Sequence, residues 1–425
     1  MSSASSPLRP ATGHTPWQKD TAAPPSPSPA TITRHASVRR HMPAMFARRM
    51  TPLLALPLAA LLAGCQPKVE KISGPTMGST WQVSFVREGS APDAAAIQTE
   101  VQKILGDIDK AVSTYRDDSD VAHFNAAPAG ICLSMPAVAI DLARYAHTLA
   151  ASSQGAFDIT LLPALDAWGF GPKAARQKAT SSAPDAAAGS GQASAPETPG
   201  KQGVTIDSLQ QAPATPPEPD ADTLNALRAQ VGQQHLRIDN NRLCKNAPIS
   251  IEFNSIAAGA AIDRIASMLA GHGIQRYLIE VTGEIRGNGK KPDGSPWRVA
   301  IEAPIDNVRQ AQKIIALDGQ SISTSGDYRH YREVNGRRLS HTLDPRTLSP
   351  VTHRLAAVTV AHPEAMQADG LSTMLMVLGP DAGHEYAVRN NLAALFVVRD
   401  NDRFITRATT AFDKLYPPAQ SPNQP

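Results

Sequence analysis

Apolar side chains recur every three or four positions in several stretches of the chain, which is typical of helices that bury one face. The clearest case predicts a helix over 94–112, whose apolar stripe consists of Ile97, Val101, Ile104, Leu105 and Ile108. The same period predicts helices over 136–152, near 223–231, from 256 to the glycines at 271–273, and over 368–378.

Alternating or short continuous apolar runs predict strands between these helices. The runs lie at 81–86, 277–281, 297–303, 314–317, 356–360 and 393–398. Helices packed on sheets are combined with hairpins rather than with a regular βαβ repeat. The sequence therefore predicts an α+β fold with mixed or antiparallel sheets and packed helices.

The dipeptide Asn335-Gly336 is a strong hairpin signal. A two-residue turn there predicts three facing pairs, which are Val334 with Arg337, Tyr331 with Ser340, and His330 with His341. The hairpin would bring the polar segment 323–327 close to the segment 341–344. Two polar loops that are distant in sequence would then converge.

The 36 prolines concentrate near the N-terminus and between residues 172 and 222, in stretches without apolar periodicity. Such a composition predicts disorder, so 172–222 is interpreted as a disordered insertion. It interrupts one domain at 74–415, which lies between a tether at 65–73 and a disordered tail at 416–425. The net charge of +3 is small and the basic residues are scattered, which argues against nucleic acid as a partner.

The segment 45–64 has the basic start, short apolar run and small final residues of a secretory signal peptide. Leu62-Ala63-Gly64-Cys65 resembles a bacterial lipoprotein box, in which the cysteine carries the lipid. Gln66 follows it, and the lack of Asp there favours the inner leaflet of the outer membrane over the inner membrane. Residues 1–44 are long for such a start, so they are a disordered leader or translation begins later. A periplasmic, lipid-anchored protein is predicted.

The other two cysteines, Cys132 and Cys244, are far apart in sequence. They could form a disulfide in an oxidising compartment, or they could be two small buried residues. The frequency with which free cysteine is simply buried favours the second interpretation.

Asp369, Ser372 and Thr373 share one face of the helix predicted over 368–378, because they lie three and four residues apart. Hard oxygen ligands of this kind suit Mg²⁺, although Asp369 could be only a charge near a helix N-terminus. His341 stands beside Ser340 in a polar turn and could relay a proton or be structural.

Two further polar segments have a structural interpretation as well as a chemical one. Asn254 and Ser255 can cap the helix that follows them, and free N–H groups at such a start can bind phosphate, although most caps bind nothing. The segment 283–289 is rich in glycine, but it follows a strand without opening a helix, so it is interpreted as a turn.

Eight segments occur here in a characteristic order. They are Gly74-Pro75-Thr76-Met77-Gly78-Ser79-Thr80, Ser113-Thr114-Tyr115, residues 155–160, Trp168-Gly169-Phe170-Gly171, Gly283-Glu284-Ile285, Ser323-Thr324-Ser325-Gly326, residues 340–347, and Ala368-Asp369 through Thr373. Together they resemble the ApbE family, the FAD:protein FMN transferases, over residues 74 to 411 apart from the insertion.

The resemblance implies a set of site residues, taken position by position. The family's FAD contacts fall at Met77, Tyr115, Ala156, Phe157, Asp158, Glu252, Ala258 and Leu343. Its Mg²⁺ ligands fall at Ser255, Asp369, Ser372 and Thr373. His341 matches a histidine implicated in transfer, so His341 and Asp369 are the catalytic candidates.

The resemblance also implies the reaction. A Ser or Thr hydroxyl of an acceptor protein attacks the FAD phosphate next to the flavin and releases AMP, with Mg²⁺ offsetting the pyrophosphate charge. The expected acceptors are flavoprotein subunits of membrane electron-transfer or ion-pumping complexes that face the periplasm. A lipid at Cys65 would hold the enzyme at the membrane.

The chain departs from the family pattern at several positions. Glu252 stands where the family has Asp, Ala258 where it has Lys or Glu, and Ala260 where it has Tyr. Thr282 and Leu348 each replace a glycine. Two alternatives stay open, namely hydrolysis of FAD to FMN and AMP, and a non-catalytic FAD-binding lipoprotein, which the changes at Ala258 and Ala260 favour.

Overall fold

The computed structural model describes residues 68–173, 218–305, 310–328, 331–334, 336–401 and 403–418. The predicted leader, signal peptide and lipid-carrying Cys65 lie outside the described residues. So do most of the predicted insertion and, in the predicted hairpin, His330 and Asn335.

Strands and helices account for most of the described chain. The strands are β1 (Val69–Thr76), β2 (Ser79–Val86), β3 (Cys132–Ser134), β4 (Leu236–Asp239), β5 (Arg242–Lys245), β6 (Tyr277–Val281), β7 (Glu284–Asn288), β8 (Trp297–Glu302), β9 (Ala311–Leu317), β10 (Gln320–Gly326), β11 (Tyr331–Val334), β12 (Arg337–Ser340), β13 (Leu343–Asp344), β14 (Ser349–Pro350), β15 (Leu355–His362), β16 (Ala393–Asp400) and β17 (Arg403–Ala408). The helices are α1 (Ala94–Val112), α2 (Asp120–Ala126), α3 (Ala137–Ser152), α4 (Leu162–Ala167), α5 (Ala221–Leu227), α6 (Ala257–Gly271), α7 (Ala365–Leu378), α8 (Ala382–Arg389) and α9 (Thr410–Leu415).

One large sheet organises these elements. Its strand order is β1-β2-β6-β7-β10-β15-β16-β17, and each neighbouring pair is antiparallel. The β1–β2 turn, the β6–β7 turn and the C-terminal end of β10 therefore lie at the same end of the sheet, which we call the hairpin end. The predicted α+β class is confirmed.

The main core lies between one face of this sheet and helices α1, α3, α6 and α7. Buried side chains such as Phe85 and Val358 from the strands pack there with Leu105, Ile262 and Met374 from the helices. Burying a side chain of this size contributes about 1.5–3 kcal/mol. The β8–β9 hairpin and α9 cover part of the opposite face in a second core.

A smaller group of apolar residues lies apart from both cores, and we call it the satellite cluster. It contains Leu161, Ala164, Trp168, Leu227, Val231, Leu339, Leu343 and Leu348. Its members come from α4, from α5 on the other side of the predicted insertion, and from the chain around the β11–β12 hairpin. Segments that are distant in sequence are thus held together by few side chains.

Periodicity predicts the long elements well. Helix α1 has the predicted bounds, and α3 begins one residue later than predicted. The hairpin register is confirmed for Val334 with Arg337 and for Tyr331 with Ser340. Helix α5 begins at Ala221, so regular structure resumes before the predicted end of the insertion at 222.

Elements that carry polar residues depart from prediction. The segment 283–289, predicted as a turn, contains strand β7, and all of the polar segment 323–327 except Asp327 lies in strand β10. Strand β1 occupies most of the predicted tether, and helix α4 lies in a predicted loop. Tyr416, predicted to belong to the tail, is buried against Phe412. Pairing with neighbours stabilises strands whose own sequence gives no apolar pattern.

Cys132 and Cys244 face each other on β3 and β5 and form a disulfide. The interpretation of these residues as two free buried cysteines is therefore wrong. Residues 112 positions apart in sequence become direct partners only through strand pairing. Among the described helices, none combines the length and the apolar composition needed to cross a bilayer.

Candidate active site

A carboxylate and four hydroxyl groups meet between β10 and α7. Asp369 is 5% exposed, and its Oδ1 lies 3.5 Å from Oγ of Ser323. Ser372 Oγ lies 3.2 Å from Ser323 Oγ and 2.9 Å from Ser325 Oγ. Ser325 Oγ also lies 3.2 Å from Thr373 Oγ1. We call these five residues the hydroxyl cluster.

Two backbone periods build the hydroxyl cluster. Ser323 and Ser325 are two apart on a strand and therefore point to the same face of the sheet. Between them, Thr324 points to the other face and bonds Thr359 (2.8 Å between the hydroxyl oxygens). Ser372 and Thr373 lie three and four residues after Asp369, on one helix face as the spacing predicts. The antiparallel sheet places β10 beneath that face.

The carboxylate of Asp369 also binds the start of helix α6. Its Oδ2 accepts the N–H of Gly259, at 3.0 Å, in the first turn of that helix. The N-cap residue is Ile256, and no side chain of α6's own N-cap bonds the helix start. The expectation that Asn254 and Ser255 cap α6 with their side chains is therefore wrong. The partial positive charge at a helix start favours a carboxylate nearby. At the start of α6 that carboxylate belongs to Asp369 of α7.

The electrostatics of the hydroxyl cluster favour a cation. Burial, and then the nearby Glu284 carboxylate, raises the pKa of Asp369 well above its usual range, opposed by hydrogen bonds from Gly259 and Ser323. No group of three or more His, Cys, Asp or Glu residues in the described chain is arranged to hold a metal. A metal here would therefore depend on hydroxyl groups as well as carboxylates. Such oxygen donors fit Mg²⁺, whose charge would favour the ionised Asp369.

Two tight turns stand side by side at the hairpin end. The Met77-Gly78 turn has φ angles of 47° and 72°, and the Thr282-Gly283 turn has φ angles of 55° and 116°. The N–H of Thr282 donates to the Thr80 carbonyl at 3.0 Å, which holds the turns together. Glu284 follows directly and accepts a hydrogen bond from the Thr282 hydroxyl at 2.8 Å. The left-handed backbone at Thr282 explains why the family usually has glycine there.

The three consecutive residues expected to contact FAD differ in their surroundings. Ala156 is fully buried and Phe157 is 4% exposed. Asp158 accepts hydrogen bonds from the N–H and hydroxyl of Thr160 (2.8 and 2.7 Å) and from the N–H of Gln233 (3.1 Å). Asp158 therefore ties the chain before the predicted insertion to the chain after it.

Glu252 and Tyr115, two other expected FAD contacts, lie within electrostatic reach of each other. Glu252 is 6% exposed, and burial raises its pKa to about 7, with Asp158 adding to the shift and a hydrogen bond from the N–H of Asn254 opposing it. Tyr115 is 55% exposed, and its pKa is raised by partial burial and then by the charges of Glu252 and Asp166. An exposed ring thus stands near a buried carboxyl group.

The expected site positions at the start of α6 offer one polar side chain, that of Ser255. Ala258 and Ala260 are buried in the first turns of α6 and pack in the main core. Ser255 lies half-buried in the turn just before that helix. The alanine side chain at 258 cannot supply the charged contact that the resemblance implies at this position.

His341 lies beside the satellite cluster. Its ring centroid is 6.5 Å from that of Phe170, in an edge-on arrangement. Leu343, expected to contact FAD, is 3% exposed and belongs to the cluster. Trp168 donates its Nε1–H to the carbonyl of Leu348 at 2.7 Å. The two aromatic residues of the segment 168–171 therefore support the segment that carries His341.

One contact connects the His341 segment to the expected flavin contacts, and one backbone feature marks the end of that segment. An ideal Cβ built on Gly155 would lie 3.9 Å from Cγ of Arg346, so the segments 155–160 and 341–348 are neighbours. Leu348 has a φ of 59°, which explains the glycine that the family usually has at this position.

Sequence reasoning did not assign Ser323, Ser325 or Glu284 to the site. The two serines alternate on a strand, and that spacing was the available signal once the segment was recognised as a strand. Glu284 opens a strand that was interpreted as a turn. A cavity of about 420 Å³ lies elsewhere, beside the disulfide, and none of the described site residues lines it.

Comparison with known proteins gives consistent matches over most of the chain. The model of the ApbE family matches residues 77–396. The FAD:protein FMN transferase of Vibrio cholerae is 35% identical over 363 residues, which cover 85% of this chain and 97% of that protein. The FAD:protein FMN transferase of Haemophilus influenzae is 33% identical over 377 residues, with 85% and 96% covered.

Solved structures agree with these matches. The apo crystal structure of the Pseudomonas stutzeri flavinyl transferase ApbE is 48% identical, with a TM-score of 0.68 over 83% of this chain and 98% of that one. The flavin transferase ApbE from Vibrio cholerae is 32% identical, with a TM-score of 0.66 over 82% and 99%. The chain therefore belongs to the ApbE family.

Proposed function

We propose that this chain transfers the FMN half of FAD to a Ser or Thr hydroxyl of an acceptor protein and releases AMP, with Mg²⁺ bound at the hydroxyl cluster. The observation that carries the proposal is the buried Asp369 carboxylate among four hydroxyl groups near the hairpin end of the sheet. The relatives that match most of the chain are named FAD:protein FMN transferases, which supports the reaction.

The donor geometry suits one divalent cation. Oδ2 of Asp369 accepts the Gly259 N–H at 3.0 Å, whereas the one hydrogen bond to Oδ1 from the described residues is the long 3.5 Å contact with Ser323. Oδ1 is therefore the oxygen open to a metal. Asp369, Ser372 and Thr373, with Ser255 before α6, would hold Mg²⁺, which when bound would offset the charge of the FAD pyrophosphate.

The residues of this chain would then orient the substrates and move one proton. The acceptor hydroxyl oxygen forms a bond to the phosphorus next to the flavin, and the bond from that phosphorus to the bridging oxygen breaks. The bridging oxygen leaves as part of AMP. The imidazole of His341 takes the hydroxyl proton, and Tyr115 and Glu252 contact the flavin half.

One experiment tests the reaction. The purified mature protein is incubated with FAD and Mg²⁺, with or without a flavoprotein domain that carries an exposed Thr or Ser, and with EDTA as a control. Covalent flavin fluorescence on the acceptor in a denaturing gel supports transfer. AMP release without acceptor indicates hydrolysis instead. FAD that is bound but stays intact indicates a non-catalytic binding protein, the alternative that the uncharged Ala258 favours.

We also propose that the chain is exported and lipid-anchored through Cys65. The signal-peptide pattern supports export, and the Cys132–Cys244 disulfide is consistent with an oxidising compartment. Periplasm-facing flavoprotein subunits of membrane complexes would be within reach as acceptors. Replacing Cys65 with Ser should move the protein from the outer-membrane fraction to the soluble fraction. A variant that stays in the membrane would show that the anchor lies elsewhere.

A further inference from the structure

Asp263 lies on α6 outside the hydroxyl cluster and binds the start of the helix that carries Asp369. Its Oδ1 accepts the N–H of Ala365 at 2.9 Å, and its Oδ2 accepts the N–H of Met366 at 2.9 Å. These are the first two residues of α7, whose own N-cap residue Glu364 makes no side-chain capping bond to the helix backbone. Asp263 therefore supplies the N-terminal cap of α7 from another helix.

The capping is reciprocal. Asp263 of α6 binds the start of α7, and Asp369 of α7 binds Gly259 at the start of α6. Each aspartate stands one helical turn beyond the N–H that the other one binds, since 259 and 263, like 365 and 369, are four apart. The two helix starts and the two carboxylates therefore form a closed set of hydrogen bonds.

Gly259 makes this arrangement possible. An ideal Cβ at this position would lie 2.4 Å from the carbonyl oxygen of Ala365 and 2.6 Å from the Cα of Met366. Both are backbone atoms, so a side chain at 259 would force the start of α7 away. The close helix contact also fixes the distance between the Gly259 N–H and Asp369.

Arg286 holds the capping carboxylate in turn. Its Nη1 lies 2.5 Å from Oδ1 of Asp263, and the two side chains are only 22% and 25% exposed. Arg286 lies on β7, two residues after Glu284 and on the same face of the sheet. The ion pair thus ties the start of α7 to the strand that carries the second carboxylate near Asp369.

We infer that Asp263, held by Arg286, is a positioning residue that sets the place of the metal-binding carboxylate Asp369. The inference rests on the proposed function. Asp369, Ser372 and Thr373 move together with α7, whereas Ser323 and Ser325 stay with the sheet. A shift of the α7 start would separate the two halves of the hydroxyl cluster, and small displacements are costly at such sites.

The test measures metal binding directly as well as turnover. Asp263→Asn keeps the size of the side chain but removes its charge and one acceptor. Binding of Mn²⁺ in the presence of FAD is followed by electron paramagnetic resonance, and FMN transfer is measured on the same samples. We expect the Mn²⁺ dissociation constant to rise about 10- to 100-fold, as for other residues that orient metal ligands.

Asp93→Asn is the matched control. Asp93 also caps a helix, since its Oδ1 accepts the N–H of Ala96 at 2.9 Å at the start of α1. The Asp93→Asn variant should lower the unfolding temperature without changing the affinity for Mn²⁺. If Asp263→Asn lowers only the unfolding temperature and leaves Mn²⁺ affinity within about twofold of wild type, the positioning role is refuted.

Two further variants keep the inference testable if Asp263→Asn does not fold. Gly259→Ala should weaken Mn²⁺ binding by displacing α7, and Arg286→Gln should weaken it less than Asp263→Asn. Unchanged affinity in both would overturn the inference.

A wild-type protein that binds Mn²⁺ but labels no acceptor contradicts the proposed transfer, and the Mn²⁺ affinities of the variants then decide the positioning role by themselves. A wild-type protein that binds no Mn²⁺ contradicts both.

Discussion

The hydroxyl cluster and the satellite cluster carry the two halves of the proposed chemistry, and they are supported very differently. Asp369 and Ser323 lie between α7, which contributes to the main core, and the central strand β10, whose Ile322 is buried in the second core. His341 lies beside eight buried apolar residues drawn from segments on both sides of the predicted insertion. The proposed metal site is therefore supported by the two large cores, whereas the proposed proton acceptor is supported by a small separate cluster.

The polar contacts show the same difference. Buried hydrogen bonds join α7 to β10 within the hydroxyl cluster and join Asp369 to the start of α6. The satellite cluster contains the buried bond from Trp168 to Leu348. Around the satellite cluster, the ion pairs of Arg346 with Asp344 and of Arg337 with Glu218 involve arginines that are 43% and 65% exposed. Exposed pairs contribute little, typically about 0–1 kcal/mol. We therefore expect the His341 segment to open locally more often than the metal site.

The largest effect should come from Asp369→Ala. The variant removes the carboxylate proposed to bind the metal, so Mg²⁺-dependent FMN transfer should fall by at least about 10,000-fold. Acceptor labelling in a denaturing gel measures this, and Asp381→Ala, a change at an exposed aspartate just before α8, serves as control. Turnover that stays Mg²⁺-dependent at the wild-type rate would show that the metal lies elsewhere.

His341→Gln should separate the two regions. We expect transfer to slow by about 1,000-fold, because a positioned proton acceptor is lost. Mn²⁺ affinity should remain at the wild-type value, since the hydroxyl cluster is supported by other elements. His384→Gln on α8 is the matched histidine control. A parallel loss of Mn²⁺ affinity in His341→Gln would mean that the two regions are not independent.

Glu252 should make stability depend on pH. Its pKa is about 7 in the folded protein and near 4.5 when unfolded, so the folded state binds the proton more tightly. This tighter proton binding stabilises the folded state. The stabilisation is fully present below about pH 4.5, and up to about 3 kcal/mol of it is lost as the pH rises to 7. Denaturant unfolding of the FAD-free protein across this range should show a decline in the free energy of unfolding, and Glu252→Gln should make that decline smaller without removing the part that Asp158 and Asp369 cause. The exposed Glu385→Gln should leave the decline in place, and a wild-type protein without any decline would contradict the assignment.

Leu348→Gly should loosen only the satellite cluster. Glycine adopts the left-handed backbone at this position without strain, which stabilises the protein by about 1 kcal/mol. Losing a buried leucine side chain costs more, so we expect the free energy of unfolding to fall by about 2 kcal/mol. Hydrogen exchange at 341–348 should accelerate, while amides of α7 stay protected. Leu375→Ala in the main core is the contrasting variant and should affect α7. Equal acceleration in both segments of Leu348→Gly would remove the distinction between the clusters.

The sequence predicts the apolar elements and three of the five residues of the hydroxyl cluster. Helix spacing alone places Asp369, Ser372 and Thr373 on one face, because 3.6 residues per turn is a local property. The partner serines were missed, since β10 lacks an apolar pattern and was interpreted as a loop. The serines on one face of β10 find their hydrogen-bond partners only when α7 packs over that face.

The helix caps show the same limit. Asn254 and Ser255 have the residue types of a cap, yet the bonds to the starts of α6 and α7 come from Asp369 and Asp263. Those partners are 110 and 102 residues away in sequence. Local preference therefore identified a helix start correctly and its cap incorrectly.

By itself, the sequence determined the α+β class, the family, most of the long elements and the spacing of the residues on α7. These depend on short-range periodicity and on ordered motifs. The tertiary structure alone decided the Cys132–Cys244 disulfide, the meeting of Ser323 and Ser325 with Asp369, and the reciprocal capping of α6 and α7. The hydrogen bonds and the disulfide concerned join residues between 46 and 112 positions apart, and their proximity follows from sheet pairing and helix packing rather than from local sequence.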